Sequence, residues 1–213
     1  MSPRVVVLDY GSGNVRSVVR MLERVGAEVE LTADRDAVLA ADGLYVPGVG
    51  AFHSCMTGLL AADGAELIEQ RLQLDRPVLG VCVGFQVLFD GSTEPTSLEH
   101  PPAGLGCFGG MVERLDAPVV PHMGWSVVDA PVESRLLAGL GAERFYFVHS
   151  YAARRLLQSR VAGEPVVTTA EHGTTFVAAV EDGPLAGTQF HPEKSGDAGA
   201  QLLQNWLSDL RAG

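Results

Sequence analysis

The chain has 213 residues, enough for one mid-sized domain with a sizeable apolar core, and we predict that 1–213 form that single domain. Its residues are 46% hydrophobic and 19% charged, a composition that excludes an intrinsically disordered protein. A formal net charge of -11 argues against nucleic acid as a partner, because such a surface repels phosphate groups.

Hydropathy and cysteine content predict the location of the protein. No apolar run approaches the roughly 20 residues that a membrane-spanning helix needs, and the N-terminus enters a strand pattern without a signal-peptide core. Three cysteines without a CxxC pair are typical of a reducing compartment and not of a disulfide framework. We therefore expect a soluble, cytoplasmic protein with no membrane partner.

The first half of the chain alternates between predicted strands and helices. The β-branched run at 4–10 predicts a strand, and the apolar spacing through 14–26 predicts an amphipathic helix. Further along we predict a strand at 27–32, a charged helical segment from Asp34, a strand at 43–48, a loop at 49–54, a helix at 65–74, a strand at 77–81 and a helix that starts within 83–89. Strands separated by helices imply right-handed crossovers and a mostly parallel sheet.

The second half has a different pattern. After a loop at 91–106, short strand-like runs follow one another, with turn residues between them, at 108–115, 124–130, 144–151, 165–171, 174–182 and 185–190. An amphipathic helix at 199–210 comes last. The predicted fold class is α/β, with a mostly parallel central sheet flanked by helices and a strand-rich antiparallel C-terminal extension.

One cysteine stands between two glycines at the end of a predicted strand. Gly80, Cys82 and Gly84 follow the G-x-S-x-G pattern of a nucleophile elbow, with cysteine in place of serine. Glycines remove the Cβ atoms that would clash in so tight a turn, and the helix N-terminus that follows favours a reactive thiolate. The alternative is a small buried thiol between packing glycines, and this motif alone does not decide between the two.

A histidine and a glutamate near the C-terminus can complete such a site. His191 and Glu193 follow the strand-like run at 185–190, with Pro192 between them. In an extended segment residues i and i+2 point to the same side, and proline favours extended geometry in the residue before it. Glu193 can then orient an imidazole that faces Cys82, as nucleophile, base and orienting group require.

Thiolate chemistry on an acyl group also needs donors for a developing oxyanion. The N–H of Val83 follows the nucleophile directly and is one candidate. Gly48, Val49 and Gly50 form a glycine-rich turn after a predicted strand, where a peptide N–H can swing toward the site. The alternative interpretation of this segment is an ordinary turn.

Motifs spread over almost the whole chain resemble those of one enzyme family. They are DYGSGNVRSV at 9–18, PGVGAF at 47–52, GVCVGFQ at 80–86, PHMGW at 121–125, YFVHSY at 146–151 and GTQFHPEKSG at 187–196. The elbow with HPE is similar to the class I, triad-type glutamine amidotransferases. PGVG, PHMGW and YFVHSY resemble motifs of the glutaminase subunits of imidazole glycerol phosphate synthases. This resemblance implies a flavodoxin-like sheet.

The resemblance implies a set of site residues. Cys82 would attack the side-chain amide of glutamine to form a γ-glutamyl thioester, while His191 would protonate the departing ammonia and then activate water, oriented by Glu193. The oxyanion would be held at Val83, Val49 and Gly50. Positions that match the family's glutamine-binding residues are Gly48, Gln86, Glu94, Ser150 and Tyr151.

The resemblance also implies a partner. The family passes ammonia to a (β/α)8-barrel cyclase, which makes imidazole glycerol phosphate and an aminoimidazole carboxamide ribonucleotide in histidine biosynthesis. This chain is too short to contain that barrel, so the cyclase would be a separate subunit of a heterodimer. Positions that match the family's interface are Asn14, Met123, Trp125, Tyr146 and Lys194. No cofactor and no metal is predicted. Ser126 departs from the family's pattern, in which asparagine is usual at this position.

Two other hypotheses stay open at this point. One is a stand-alone cysteine hydrolase with the same elbow, although PHMGW and YFVHSY argue against it. The other is a docking subunit with a vestigial site, against which the joint presence of Cys82, His191 and Glu193 argues. Cys55 and Cys107 are interpreted as structural thiols.

Overall fold

A computed structural model describes residues 2–161 and 163–210. In these residues the strands are β1 (Arg4–Leu8), β2 (Glu28–Thr32), β3 (Gly43–Val46), β4 (Val78–Val81), β5 (Phe89–Ser92), β6 (Phe108–Arg114), β7 (His122–Val127), β8 (Arg144–His149), β9 (Tyr151–Ala153), β10 (Val166–His172), β11 (Thr174–Asp182) and β12 (Leu185–Thr188). The helices are α1 (Val15–Arg24), α2 (Arg35–Ala40), α3 (Phe52–Ala61), α4 (Gly64–Gln73), α5 (Val83–Gln86) and α6 (Gly196–Asp209), with a 3₁₀ helix at Pro192–Lys194.

A seven-stranded sheet forms the centre of the fold. Its order is β10-β11-β12-β4-β3-β1-β2, in which β12, β4, β3, β1 and β2 run parallel and β10, β11 and β12 are antiparallel. Two smaller sheets, β5-β6-β9 and β7-β8, lie beside it in the chain's second half. The predicted α/β class, with a mostly parallel sheet and an antiparallel extension, is confirmed.

Burial explains why the central strands form. Every residue of β3 and β4 is buried, as expected for parallel strands covered on both faces. Helix α1 packs with α6, and helices α2 and α3 both pack with α4. Within the described ranges no helix is both long enough and apolar enough to cross a bilayer.

Helix α3 lies where the sequence predicted a loop at 49–54 and no helix after it. The prediction was wrong, and the signal was present, because Phe52, Cys55, Met56 and Leu59 have the i, i+3, i+4, i+7 spacing of a buried helical face. Gly58 lowers the helix propensity of this segment and so weakens the helical signal. It is needed because a Cβ there would lie 2.7 Å from the carbonyl oxygen of Tyr10.

The helix predicted to start after Cys82 is only one turn long. It starts at Val83, within the predicted range of 83–89, and ends at Gln86 because the following carbonyls have other donors. The Val87 carbonyl accepts from Leu105 N–H at 2.8 Å, and the Leu88 carbonyl accepts from Phe108 N–H at 3.0 Å. These bonds direct the chain into β5, and the two carbonyls are then not available for the hydrogen bonds that would continue the helix.

Candidate active site

Two neighbouring strands bring the cysteine and the histidine together. Strands β4 and β12 are parallel partners, with Val81 opposite Thr188, so their carboxyl ends lie side by side. Cys82 follows β4 directly, and its N–H donates to the Thr188 carbonyl at 2.8 Å. His191 follows β12 after two further residues. Residues 109 positions apart in sequence thus meet at one edge of the sheet.

Cys82 lies in a strained corner between β4 and α5. Its φ of 57° and ψ of -114° are rare for a residue with a side chain. A Cβ on Gly84 would lie 2.1 Å from the Val46 carbonyl oxygen, and one on Gly80 would lie 2.6 Å from the Gly84 carbonyl oxygen. Both glycines are therefore required for the turn that aims the thiol. The side chain is buried, with 3% of the residue exposed.

His191 and Glu193 form a buried pair. The Nδ1 atom of His191 and Oε1 of Glu193 are 2.7 Å apart, and both side chains are 3% exposed. His191 itself is extended, as predicted for a residue before proline, but the segment from Pro192 to Lys194 is a 3₁₀ helix. The extended geometry predicted for the pair is therefore wrong beyond His191. Ser195 stabilises the turn by donating its hydroxyl to the His191 carbonyl at 2.7 Å.

The charges around His191 favour its protonated form. Burial lowers the pKa of His191, but the interactions with Cys82 and Glu193 outweigh burial and raise that pKa to about 9. The protonated ring lies beside the Cys82 sulfur, whose thiolate is the nucleophilic form. The Tyr45 hydroxyl donates to the other carboxylate oxygen of Glu193 at 3.4 Å. Burial and the Glu193 charge raise the pKa of Tyr45, so this hydroxyl stays a donor.

A cavity of about 390 Å³ opens at these residues, within the size range of small-molecule sites. The predicted site residues that line it are Val49, Gly50, Cys82, Val83, Gln86, Glu94, Ser150, Tyr151, His191 and Lys194. Pro121, Val148 and His149 also line it, and the sequence analysis did not assign them a role. Asn14, Gly48 and Glu193 line a small crevice that shares Val49 and His191 with the cavity.

Two buried glutamines connect the cavity wall to the thiol. Gln86, only 4% exposed, donates from Nε2 to the Tyr151 carbonyl at 2.8 Å and to Gln189 Oε1 at 3.0 Å. Gln189 in turn places its Nε2 3.9 Å from the Cys82 sulfur. The sequence analysis missed Gln189, although a polar residue at the buried end of a strand, two positions before His191, is a recognisable signal.

Glu94 lies at the start of helix α3. Its Oε2 accepts from the Phe52 N–H at 2.7 Å, which supplies the cap that the Ala51 side chain cannot give. Its backbone carbonyl lies 3.1 Å from the Nε2 atom of His53. These contacts fix one carboxylate oxygen and leave the side chain at the edge of the cavity.

Two of the three predicted oxyanion donors, the N–H groups of Val83 and Val49, are bonded within the protein. The Val83 N–H donates to the Gly48 carbonyl at 3.4 Å, and the Val49 N–H donates to the Ser12 hydroxyl oxygen at 3.3 Å. A Cβ on Gly48 would lie 2.1 Å from the Gly84 nitrogen, so only glycine allows this loop to press against the elbow. Gly50 follows with a φ of 86°. Val49 therefore lies between two glycines, and its N–H is directed to Ser12.

Ser12 and Cys55 hold the two peptide groups on either side of Val49, Ser12 through the Val49 N–H and Cys55 through the Val49 carbonyl. The Cys55 thiol donates to the Val49 carbonyl at 3.2 Å, and its sulfur lies 3.1 Å from the Ser12 hydroxyl oxygen. Burial raises the pKa of Cys55, so the thiol keeps its proton and remains a donor. The three residues form a ring: the Val49 N–H donates to Ser12, the Ser12 hydroxyl lies within reach of the Cys55 sulfur and of the Val49 carbonyl oxygen, and the Cys55 thiol donates to that carbonyl. Cys55, which was interpreted as a structural thiol, therefore has specific partners in Ser12 and Val49.

The predicted interface residues lie on strands β7 and β8 and near the His191 turn. Met123 is 64% exposed and Trp125 is 52% exposed, and Trp125 packs edge-to-face on Tyr146 with ring centroids 5.9 Å apart. The Tyr146 carbonyl accepts from His191 N–H at 3.0 Å, while its N–H donates to Ser195 Oγ at 2.9 Å. An exposed apolar strand pair is thus joined directly to the turn that carries His191.

The sequence matches the Glutamine amidotransferase class-I family model over residues 6–210. It is 59% identical over 209 residues to the imidazole glycerol phosphate synthase subunit HisH of Nocardia farcinica, covering 97% of this chain and 98% of that protein. The subunit HisH of Thermobifida fusca is 56% identical over 216 residues, which cover 99% of this chain and 100% of that protein.

Solved structures of lower identity share the fold. A crystal structure of a glutamine amidotransferase has a TM-score of 0.73 at 22% identity, over 98% of this chain and 99% of that one. The structure of PurLQS from Thermotoga maritima has a TM-score of 0.70 at 20% identity, over 99% of this chain and 100% of that one. With the family match and the HisH relatives, the chain belongs to the class-I glutamine amidotransferases, in the group of imidazole glycerol phosphate synthase HisH subunits.

Proposed function

We propose that the chain is the glutaminase subunit of an imidazole glycerol phosphate synthase. It hydrolyses glutamine to glutamate and ammonia and supplies the ammonia to a cyclase subunit in histidine biosynthesis. The observation that carries this proposal is the buried assembly of Cys82, His191 and Glu193 beside a cavity of substrate size. The HisH relatives, which match over nearly their whole length, support the choice of synthase.

The first half-reaction is proposed to consume the thiolate. The Cys82 sulfur attacks the carbonyl carbon of the glutamine side-chain amide, and the electron pair of the C=O bond moves to oxygen. His191, whose pKa of about 9 keeps it protonated at neutral pH, gives its proton to the departing nitrogen. The C–N bond breaks, ammonia leaves, and a γ-glutamyl thioester remains on Cys82.

The second half-reaction is proposed to return the enzyme to its starting state. His191, now neutral, takes a proton from water as the water oxygen attacks the thioester carbonyl. The C–S bond breaks, glutamate leaves, and Cys82 and His191 are again a thiolate and an imidazolium. Glu193 holds Nδ1 of His191 at 2.7 Å throughout and stabilises the charged ring.

The oxyanion hole is proposed to need a rearrangement. In the described conformation the Val83 N–H is 3.4 Å from the Gly48 carbonyl and the Val49 N–H is 3.3 Å from Ser12. Rotation of the peptide group between Gly48 and Val49 would turn the Val49 N–H to the substrate. Binding of the cyclase and its ligand is proposed to favour that rotation, which makes glutamine hydrolysis depend on the complex.

The partner is proposed to be a (β/α)8-barrel cyclase that forms a heterodimer with this chain and receives ammonia through the interface. Exposed Met123 and Trp125 support this, because methionine and aromatic residues are enriched at interfaces. Asn14, Tyr146 and Lys194 are proposed as further contacts. A cytoplasmic location is proposed because Cys55, Cys82 and Cys107 are all free thiols.

The experiment that tests the proposal separates the glutaminase from the cyclase. In the complex, Cys82→Ala should lower glutamine-dependent synthesis at least about 10⁵-fold, as loss of a nucleophile does in other triads. Synthesis with added ammonium salt should stay at the wild-type rate. Loss of both activities would overturn the assignment, and so would glutamine-dependent synthesis that survives the substitution. Cys107→Ala is the matched control, because Cys107 is a thiol outside the cavity.

A further inference from the structure

Two buried histidines stand between strand β7 and the wall of the active-site cavity. His122 begins β7 and is 4% exposed, and His149 ends β8 and is 7% exposed. The two residues are partners in the β7–β8 register, and His149 lines the same cavity as Cys82. The acyl-transfer steps proposed above use neither ring.

The partners of these rings fix which nitrogen carries each proton. His149 Nδ1 lies 3.0 Å from the Tyr151 carbonyl, which can only accept, so Nδ1 carries the proton. His149 Nε2 is then an acceptor in the neutral ring, and His122 Nδ1, 3.3 Å away, must donate to it. His122 Nε2 is left as an acceptor and takes the hydroxyl proton of Ser126 at 2.9 Å.

Both rings must be neutral for this directed chain to exist. Burial, with a smaller contribution from His172, lowers the pKa of His122 to about 4. Burial, together with nearby histidines and against the hydrogen bond to the Tyr151 carbonyl, lowers the pKa of His149 to about 3. His172 stacks on His122 from β10 with centroids 4.3 Å apart, and its own Nε2 is 2.7 Å from the Val119 carbonyl. His172 therefore contacts the chain of hydrogen bonds without belonging to it.

The chain ends on a carbonyl that shapes the cavity. The Tyr151 oxygen accepts from His149 Nδ1 and also from Gln86 Nε2 at 2.8 Å. Gln86 continues through Gln189 to the Cys82 sulfur. Ser150 and Tyr151 line the cavity, and they include the backbone groups predicted to meet the α-amino and carboxylate groups of glutamine. Rotation of this carbonyl would therefore displace Gln86 and the Ser150–Tyr151 backbone together.

We infer that His149 and His122 are positioning residues for glutamine, which fix the Tyr151 carbonyl before the substrate arrives through the chain Ser126–His122–His149. This inference rests on the proposed function, because it takes the cavity to be the glutamine site. A preset carbonyl lowers the ordering cost of binding and leaves the chemistry at Cys82 untouched. Its expected signature is a change in KM with little change in kcat.

The test compares substitutions at one position in the complex with the cyclase. His122→Phe keeps a ring to stack on its neighbours but removes the hydrogen bonds to His149 and Ser126. It should raise the KM for glutamine about tenfold, as expected when the one bond that orients His149 is lost from a buried chain. His122→Asn keeps an N–H donor near the Nδ1 position and should restore KM to within about threefold of wild type. His172→Phe, which keeps the stacking contact and lies outside the chain, is the control and should leave KM and kcat unchanged.

The outcomes separate this inference from the proposed function. Equal KM values for His122→Phe, His172→Phe and the wild type would overturn the positioning role, as would a fall in kcat alone. Nitrogen-15 NMR of the imidazoles tests the chain without any activity, and an Nε2–H tautomer at His122 or His149 at neutral pH would overturn it. Absence of glutamine hydrolysis by the wild-type complex would contradict the proposed function, while the NMR result still decides whether the chain exists.

Discussion

The triad and the oxyanion loop occupy the same site but differ in how ready they are for chemistry. Cys82, His191 and Glu193 are assembled, with the base and its orienting carboxylate 2.7 Å apart. The candidate oxyanion donors at Val83 and Val49 are instead bonded to acceptors within the protein. On the proposed function, the nucleophile is therefore in place before a partner binds, and stabilisation of the transition state is the part that we propose is switched.

The difference follows from what holds each part. The triad stands at the carboxyl ends of two paired central strands, and a Cβ at Gly84 would meet the Val46 carbonyl oxygen at 2.1 Å, so the corner has little room to move. The loop holds Val49, which is 39% exposed, through two side chains, Ser12 and Cys55. A few hydrogen bonds of about 1 kcal/mol each are easily exchanged for others on binding.

After Cys82→Ala, the largest expected effect comes from Glu193, the orienting member of the assembled part. Glu193→Gln should lower glutamine turnover about 10³- to 10⁴-fold, less than Cys82→Ala, because Glu193 orients and stabilises a ring but transfers no proton. Equal losses for the two variants, measured at saturating glutamine, would contradict that role.

The same variant makes a prediction about pH. His191 has a pKa raised to about 9 and can protonate the departing amide nitrogen only while it is itself protonated, so wild-type hydrolysis should fall as pH rises through about 9. Removing the Glu193 charge removes one of the groups that raise this pKa. The alkaline limb of the pH profile of Glu193→Gln should therefore lie at lower pH, and an unchanged limb would show that His191 does not set it.

The loop side of the comparison predicts a gain of activity. Ser12→Ala removes the acceptor of the Val49 N–H, and Cys55→Ala removes a donor to the Val49 carbonyl. Each should raise glutamine hydrolysis by the isolated chain about fivefold, the scale of one net hydrogen bond. The rate in the complex should change less, because the peptide is proposed to have left this orientation there. Cys55→Ser, which keeps a donor, and Cys107→Ala, which removes a distant thiol, are the controls. Folded variants with unchanged isolated rates would contradict the assigned role of this ring.

A smaller effect is expected at Lys194, the only lysine in the sequence. It lines the cavity beside His191, and none of the described carboxylates forms an ion pair with it within 4.0 Å. We expect Lys194→Ala to weaken stimulation by the cyclase about two- to fivefold, the scale of one exposed ion pair, and to change basal hydrolysis less. Equal losses in both assays would count against a contact with the partner.

The sequence predicted the parts of the site that depend on neighbouring positions in the chain. The glycines around Cys82 and the pairing of His191 with Glu193 could be inferred because the controlling residues lie within a few positions. The alternating pattern also predicted the parallel sheet. Helix α3 was missed because Gly58, needed for its contact with Tyr10, weakens the helical signal.

The rest of the site depends on contacts between distant segments. Ser12 lies before α1, Val49 lies before α3 and Cys55 lies within α3, and the three residues meet only in the folded chain. Gln86 contacts Tyr151 on β9 and Gln189 just after β12. His122 and His149 acquire a direction only when all their partners are known. No spacing in one sequence specifies such contacts, because they are set by how the sheet edges and the loops pack together.

Glutamate release from glutamine tests the central claim most directly, with the purified chain measured alone and then with the cyclase subunit and its nucleotide ligand. An assembled triad with engaged oxyanion donors predicts slow release by the chain alone and a large rise in the complex. Equal and rapid release in both would contradict the claim, because the Val49 and Val83 N–H groups would then be available without a partner.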